Sequence, residues 1–212
     1  MRNAKIIGTG VSVPERVLTN DDLSRMLGED IREFVVNNLG IEERRVLAED
    51  ESAADIATRA AENALKNAGI AAEELDLIIV ATDTPEYLSP GTSVVVQHRI
   101  GAKRAGTFDV NAACAGFVTA LDTACKFIAA DANYKNILVI GVYAMTKFLD
   151  WTEKKTATIF ADGAGALLLQ VDETGTSGAL AAKLEARGEY HDFLGIFAGG
   201  SKTPITPEVL EN

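Results

Sequence analysis

The hydrophobic and polar positions of the chain fall into two alternating patterns. Continuous apolar runs predict buried strands at residues 5–10, 75–82, 106–110, 136–142 and 166–171. Apolar residues at helical spacing predict helices at residues 20–27, 30–39, 53–68, 91–100 and 115–130. Strands and helices that alternate in this way indicate an α/β layered fold with a mostly parallel sheet.

Residues with known preferences for helix ends support these bounds. Asn20 is the expected N-cap of the first helix, and Gly40 is the expected end of the second. Ser52 and Gly69 bracket the third helix, and the apolar stripe of this helix is almost entirely alanine. Because alanine is small, we expect this helix to approach its neighbour closely.

The helix at 115–130 differs from the others because apolar residues cover most of its circumference. Only Asp122 and Lys126 are charged before its last turn. A helix that is apolar nearly all round is typically buried, so we expect it at the centre of the molecule. A glycine-rich crossing at 156–166 leads into the strand at 166–171, where glycines let two backbones pass closely.

The end of the chain shows less regular patterning. Residues 178–187 suggest one further strand, whereas 188–212 contain two prolines and are expected to be irregular. We therefore divide the chain into a first domain at 1–175 and a mostly irregular segment at 176–212.

A cysteine lies at the junction between a predicted strand and a predicted helix. In the sequence Asn-Ala-Ala-Cys-Ala-Gly-Phe, residues 111–117, an extended run enters and an apolar helix leaves. Unpaired backbone N–H groups and the helix macrodipole at such a point favour a thiolate and can stabilise an oxyanion. Small neighbours leave room around the sulfur, so Cys114 is the candidate acyl-accepting nucleophile, although a free cysteine is more often a buried small hydrophobe.

Other candidate residues have weaker sequence contexts. Cys125 lies inside an apolar helix and is expected to be a core residue. His98 and His191 are the only candidate general bases, and both are expected to be packed or solvated. Gly163 and Gly165 lack the rest of a dinucleotide fingerprint, and no spacing of ligands predicts a metal site.

Composition excludes some classes of partner. The 212 residues carry a formal net charge of −11, which disfavours nonspecific binding to nucleic acid or to an anionic membrane. No apolar run approaches the roughly 20 residues that a membrane span requires. Two cysteines without disulfide spacing indicate a reducing compartment, and we expect a cytoplasmic protein.

Three stretches closely resemble the ketoacyl-ACP synthase III branch of the thiolase superfamily, whose members start bacterial fatty-acid synthesis. They are Lys-Ile-Ile-Gly-Thr-Gly at 5–10, Asp-Val-Asn-Ala-Ala-Cys-Ala-Gly-Phe at 109–117 and Ile-Phe-Ala-Asp-Gly-Ala-Gly-Ala at 159–166. The resemblance extends over essentially the whole chain. It implies a homodimer with a five-layered αβαβα fold built from two similar halves, of which this chain is mainly the first.

The resemblance also implies a reaction. The thiol of Cys114 would accept an acyl group from coenzyme A, and no cofactor would be permanently bound. Malonyl-acyl-carrier protein would then lose CO2 and condense with the acyl group. Phe160 would line the acyl channel, and the loop with Leu88 and Ser89 would reach into the partner's pocket, where the small Ser89 would leave room for a longer or branched acyl chain.

The chain departs from the family pattern in two respects. Family members carry a His-Gln-x-Asn run and an Asn-Thr-Ser run in their second half, and neither occurs here. A missing C-terminal half, in the same or another chain, would have to supply them. Where the family stacks the adenine of coenzyme A between a Trp and an Arg, this chain offers Phe34 and Lys154, with Trp151 nearby. Lysine lacks the planar guanidinium, so a carrier-protein thioester remains an alternative donor.

Two other functions remain open from the sequence. The first is a starter-unit or ester-forming acyltransferase of specialised metabolism on the same fold. The second is a noncatalytic interaction subunit that pairs with a complete synthase, against which the intact Ala-Ala-Cys-Ala-Gly-Phe run argues.

Overall fold

Two sheets and seven helices make up the structure, a computed structural model that describes residues 2–210. The strands are β1 (Asn3–Ser12), β2 (Val17–Thr19), β3 (Glu43–Arg45), β4 (Leu77–Ala81), β5 (Gly106–Val110), β6 (Asn136–Ala144) and β7 (Asp162–Asp172). The helices are α1 (Asn20–Leu27), α2 (Arg32–Leu39), α3 (Ala53–Ala68), α4 (Thr92–Arg99), α5 (Gly116–Ala130), α6 (Lys154–Ala157) and α7 (Pro207–Leu210).

The main sheet has five strands in the order β1-β7-β6-β4-β5. Strand β4 pairs in parallel with β5 and β6, whereas β7 pairs antiparallel with both β6 and β1. The sheet is therefore mixed rather than mostly parallel. The connection after β6 returns to the sheet at the same end at which β6 finishes. Strand β7 therefore runs in the opposite direction, which makes the β6–β7 pair antiparallel.

Helices α3 and α4 cover one face of this sheet, and α5 lies on the other. The alanine stripe of α3 packs directly on β1, as its composition predicts. A Cβ added at Gly8 would lie 2.5 Å from the carbonyl oxygen of Ala64, and one added at Gly10 would overlap the carbonyl oxygen of Ala60. Alanine on the helix and glycine on the strand thus allow a backbone-to-backbone approach.

The opposite face differs from the expectation for α5. Only Gly116, Ala120, Ala124 and Ile128 of this helix are buried, so one side of α5 packs on the sheet and the other side is open. The expectation that the whole helix is buried is wrong for the described chain. Its apolar outer side is only partly covered within residues 2–210: the segment 177–182 lines a cavity together with Val118, Leu121 and Cys125, and Val118 is exposed.

The open side of α5 also bears on the membrane criterion. Within the described residues, the stretch Ala113–Ala130 is long and apolar enough to cross a membrane, judged by length and composition only. The sequence expectation that no run approaches this length is therefore wrong. The finding is weak evidence for a membrane span, because a core helix of a soluble protein passes the same test.

Helices α1 and α2 form a third, smaller apolar cluster. Leu23, Ile31, Val35 and Ala157 are its buried members, and Trp151 packs against them. The first helix is capped by Thr19 rather than by Asn20, because the Thr19 hydroxyl accepts from the backbone N–H of Asp22 and donates to the Asp22 carboxylate.

The charged segment at 41–45 is held by hydrogen bonds to α1. Asn20 donates from its side chain to the carbonyl oxygen of Ile41 (2.8 Å) and accepts from the guanidinium of Arg44 (2.9 Å). Arg44 is buried, and its strand β3 pairs with β2. Sequence patterning missed this two-stranded sheet because each strand has only three residues.

After β7, the described residues 173–210 form no further strand. Strand β7 already begins at Asp162, so the glycine-rich run belongs to the strand rather than to a crossing. Residues 178–187 have no regular structure, which makes the predicted strand there wrong. Residue contacts separate a compact unit that ends at Ala182 from a second unit that begins at Lys183. Residues 211 and 212 of the predicted irregular segment lie outside the described residues, and the predicted domain boundary at 175 stays a prediction.

Candidate active site

The carboxyl ends of three parallel strands meet at one edge of the main sheet. Val110, at the end of β5, pairs with Ala81 of β4, and Ala81 pairs with Gly141 of β6. Loops that follow parallel strands at such an edge commonly carry functional residues in α/β proteins. Cys114 lies four residues after the end of β5, in the loop that leads into α5.

Cys114 sits in a single 3-10 turn, Ala113–Ala115, directly before α5. Its side chain is exposed. Ala113 adopts a positive φ of 45°, which is uncommon for a residue with a side chain. Such backbone is held in place by surrounding packing and is concentrated at functional sites. The predicted strand–turn–helix arrangement is present, while the catalytic role of Cys114 stays a prediction.

Packing holds the start of α5 against the sheet. A Cβ added at Gly116 would lie 3.4 Å from the Cβ of Ala81. One added at Gly141 would lie 2.9 Å from the ring of Phe117, which is too close for an unshifted contact. Glycine at these two positions therefore lets the first turn of α5 lie flat on β4 and β6, which fixes where the preceding thiol is placed.

Two carboxylates hold the loops around this edge. Asp109 of β5 accepts hydrogen bonds from the backbone N–H groups of Thr92 (2.6 Å) and Ser93 (2.8 Å), which are the first residues of α4. Asp162 of β7 accepts from the backbone N–H groups of Leu47 (2.8 Å) and Thr146 (2.9 Å) and from the Thr146 hydroxyl. Each carboxylate thus ties a strand of the sheet to a separate segment.

Sequence reasoning missed a polar pair at the same edge. The Tyr143 hydroxyl donates to Oδ2 of Asp83 (3.1 Å), which connects the end of β6 with the loop after β4. Burial raises the pKa of Tyr143, and the charges of Asp83 and then Cys114 raise it further. The rule that residues after parallel strands converge would have found both members, because each lies within two residues of a strand end.

The predicted acyl-channel residues are divided between two places. Phe160 lies two residues before β7, and its ring centroid is 6.2 Å from that of Tyr143. Leu88 and Ser89 lie in the loop between β4 and α4, where Leu88 is 82% exposed. The described structure therefore places Phe160 beside the newly found pair and leaves Leu88 and Ser89 on the surface.

The three residues predicted for the coenzyme A mouth lie around α1 and α2. The ammonium group of Lys154 is 5.0 Å from the centroid of the Phe34 ring, a cation–π arrangement, and it also pairs with Glu29 (2.7 Å). Trp151 is half-buried against the cluster that α1 and α2 form. The structure thus brings Phe34 and Lys154 into contact with each other, and their role in binding stays a prediction.

The remaining candidates have other surroundings. Cys125 is half-buried within the apolar cluster under α5, and burial, followed by the charge of Asp122, raises the pKa of its thiol. His98 lies in the last turn of α4, and His191 lies in the second unit. Across residues 2–210, no group of three or more His, Cys, Asp or Glu side chains could hold a metal ion.

Comparison with curated proteins gives a consistent set of relatives. The model of the family 3-oxoacyl-[acyl-carrier-protein (ACP)] synthase III matches residues 108–188. The chain is 44% identical over 201 residues to beta-ketoacyl-[acyl-carrier-protein] synthase III of Rhodospirillum centenum, covering 93% of this chain and 62% of the relative. The chain is 42% identical over 214 residues to beta-ketoacyl-[acyl-carrier-protein] synthase III of Natranaerobius thermophilus, covering 100% of this chain and 64% of the relative. The chain thus spans about three fifths of the length of these relatives.

Solved structures agree with the sequence matches. The 3-oxoacyl-(acyl carrier protein) synthase III of Pseudomonas aeruginosa has a TM-score of 0.83 and 34% identity, with 90% of this chain and 59% of that chain covered. The priming beta-ketosynthase from the R1128 polyketide pathway has a TM-score of 0.78 and 31% identity, covering 81% and 51%. The three layers described above match part of this thiolase-like α/β fold. In sequence and in fold, the chain is thus similar to members of the 3-oxoacyl-[acyl-carrier-protein] synthase III family.

Proposed function

We propose that this chain carries the nucleophile of a condensing acyltransferase that starts fatty-acid synthesis, with Cys114 as the acylated residue. The observation that supports this most directly is the setting of the thiol. Cys114 is exposed on a turn with a positive φ, at the start of a 15-residue helix and at the carboxyl edge of three parallel strands.

The proposed reaction has two steps. In the first, the Cys114 sulfur attacks the carbonyl carbon of an acyl thioester, the carbon–sulfur bond to coenzyme A breaks, and the released thiolate takes up the proton that Cys114 loses. In the second, malonyl-acyl-carrier protein loses CO2, the enolate attacks the acyl carbonyl, and the Cys114 thiolate leaves. The products are CO2 and a 3-ketoacyl-carrier protein, and no metal or redox cofactor takes part.

The second step requires groups that stabilise the enolate. We assign these to a C-terminal half of the fold, in the same or another chain, which would carry the family's His and Asn. The open side of α5 supports this assignment, because Val118 is 56% exposed and Phe117 and Leu121 are only half-buried. An apolar helix face of this kind is stabilised when a further layer covers it.

A homodimer belongs to the same proposal. The loop with Leu88 and Ser89 would reach the partner's pocket, and the exposure of Leu88 is consistent with a contact made outside the described chain. Turnover measured across acyl chain lengths tests the role of Ser89, since exclusive use of the acetyl thioester would reject a pocket widened at this residue.

The formal net charge of −11 supports neither nucleic acid nor an anionic membrane as a partner.

The redox state of the two cysteines indicates the cellular compartment. Both cysteines are free, and the proposed reaction needs a reduced thiol at Cys114. We therefore propose that the protein works in the cytoplasm, where thiols stay reduced.

The experiment that tests the proposal labels the nucleophile. The chain is assembled with the C-terminal part of the Natranaerobius relative, incubated with a mass-tagged acetyl thioester, and digested to locate the adduct. We expect the label on Cys114 and 3-ketoacyl product after malonyl-acyl-carrier protein is added. An assembly that forms but carries no label on Cys114 would favour the noncatalytic interaction role.

A second donor class is favoured by the surroundings of Phe34. Lys154 occupies one face of that ring and is held by Glu29, so an adenine that stacked there would have to displace an ion-paired side chain. Acyl-carrier protein brings no adenine and avoids this cost. Acylation rates from acyl-CoA and from acyl-carrier protein distinguish the two donors. If the lysine obstructs stacking, Lys154→Ala should increase the acylation rate from acyl-CoA and leave the rate from acyl-carrier protein unchanged.

A further inference from the structure

The Asp83–Tyr143 pair has a feature that its hydrogen bond does not explain. Oδ2 of Asp83 accepts from Tyr143, but Oδ1 is buried and has no hydrogen-bond partner among residues 2–210. Leaving a carboxylate oxygen buried and unpaired is costly, so such a group in a folded protein needs a specific explanation. The pair is thus an unusual feature to find at the edge that carries the candidate nucleophile.

The sheet register determines where the Tyr143 ring lies. Side chains alternate along a strand, so Tyr143 shares a face with Gly141. That face contacts the ring of Phe117, because a Cβ at Gly141 would lie 2.9 Å from it. Phe117 is in the first turn of α5, three residues after Cys114. Tyr143, two residues further along β6, therefore extends toward the strand end where Cys114 lies.

A second ring borders the same space. The centroid of Phe160 is 6.2 Å from that of Tyr143, with the ring planes inclined by 35°. Phe160 is the residue proposed to line the acyl channel. The Tyr143 ring accordingly occupies volume next to that channel, and the hydrogen bond to Asp83 prevents it from rotating freely.

We propose that the ring of Tyr143, held in place by Asp83, limits the size of the acyl group that Cys114 accepts, on the side of the acyl channel lined by Phe160. This inference rests on the proposed function. Tyr143 is a specificity-determining residue in this assignment, since its ring would contact the acyl chain. Asp83 is a positioning residue that acts through the tyrosine. The hydroxyl keeps its proton at neutral pH and remains a donor to Asp83, because burial and the adjacent carboxylate raise its pKa.

The test measures how fast Cys114 is acylated by acetyl-pantetheine and by octanoyl-pantetheine, small thioesters that need no adenine site. Intact mass follows the adduct in the same assembly used above. In Tyr143→Val the ratio of the octanoyl to the acetyl rate should rise about tenfold, which is typical when a pocket gains room for a few methylene groups. Tyr143→Leu provides the same test if the valine variant does not fold.

Matched variants separate bulk from the hydrogen bond. Tyr143→Phe and Asp83→Ala both keep the ring and remove the hydrogen bond that holds it, so each should raise the ratio by only about threefold. Tyr134→Val is the control for loss of a tyrosine ring, because Tyr134 lies just before the opposite end of β6 and packs on Phe127. Its ratio should not change.

The outcomes distinguish this inference from the function on which it rests. An unchanged ratio in both Tyr143→Val and Tyr143→Leu overturns the inference and leaves the proposed function standing. A Tyr143→Phe variant that behaves like Tyr143→Val also overturns it, since ring size would not be the cause. Failure of the unsubstituted assembly to take an acyl group from either thioester overturns both.

Discussion

The two faces of the main sheet both carry an apolar cluster but differ in how they are covered. On the α3 face, alanines of the helix meet glycines of β1, and Ala57, Ala60, Ala61 and Ala64 are fully buried. On the α5 face, one side of the helix packs on the sheet and the other is open, with Val118 56% exposed. The closed face supplies packing that folds this chain, and the open face carries Cys114 and a surface suited to a further layer.

This difference assigns stability and function to separate regions. Residues on the α3 face are surrounded by the chain itself, so substitutions there should change the free energy of unfolding. Residues on the outer side of α5 are exposed or half-buried, so substitutions there should change chemistry or assembly more than the free energy of unfolding. Four experiments test this division, and they are ordered by expected effect.

The largest effect concerns Cys114, the proposed nucleophile on the open face. Under the proposed function, Cys114→Ala removes the group that would accept the acyl chain, so condensing activity of the assembled protein should fall by on the order of a thousandfold or more. The melting temperature should stay the same, because the side chain is exposed. Cys125→Ala is the control and should retain activity within about twofold. Retained condensation in Cys114→Ala would remove the basis of the proposed function.

The next effect concerns close packing on the α3 face. Gly10→Ala puts a methyl group against the carbonyl oxygen of Ala60 and should lower the free energy of unfolding by about 2 kcal/mol, measured by urea denaturation. Gly165→Ala is a matched control on the neighbouring strand, because a Cβ there meets nothing within 4 Å. Equal effects of the two substitutions would show that the α3 face is not tightly closed.

A third experiment concerns the outer side of α5. Val118→Lys should change the free energy of unfolding of the chain by no more than about 0.5 kcal/mol, because the side chain is exposed. It should nevertheless weaken binding to a C-terminal half by about tenfold or more, since a charge would enter an apolar interface. Titration with the C-terminal part of a relative measures this affinity. Unchanged affinity would show that the covering layer contacts another surface.

The smallest effect compares the two thiols. Burial, followed by the charge of Asp122, raises the pKa of Cys125. At a given pH, a smaller fraction of this thiol is therefore ionised than in a cysteine with the ordinary pKa. Only the thiolate reacts with iodoacetamide, and Cys114 is also more exposed. At pH 8 we expect Cys114 to be alkylated about tenfold faster than Cys125, and the rate for Cys125 to keep rising at higher pH. Peptide mass spectrometry resolves the two adducts, and faster labelling of Cys125 would reverse the assignment of open and packed positions.

Local sequence signals predicted the long elements of this fold. The alanine stripe between Ser52 and Gly69 gave both the bounds of α3 and its close packing, because small residues, a cap and a terminating glycine act within a few residues. The junction of β5, Cys114 and α5 was likewise predicted, since an extended run followed by helical spacing is a local pattern.

Elements with few residues or with distant partners were not predictable in this way. The capping role of Thr19 depended on competition with Asn20, whose side chain instead contacts Ile41 and Arg44 across 21 and 24 residues. The false strand at 178–187 had a suitable local composition but no neighbour with which to pair. The antiparallel placement of β7 depended on where the preceding connection returned to the sheet.

Propensity and spacing over a few residues are enough to predict that this chain builds an α/β sheet with a cysteine at a strand-to-helix junction. Which face of the sheet is closed, and the meeting of Asp83, Tyr143 and Phe160 at the sheet edge that carries Cys114, follow from the folded arrangement of distant segments. Asp83 is 60 positions before Tyr143 in the sequence, and Phe160 lies further along the chain. The register of the paired strands brings them together. Register depends on pairing between distant segments, which local patterns do not encode.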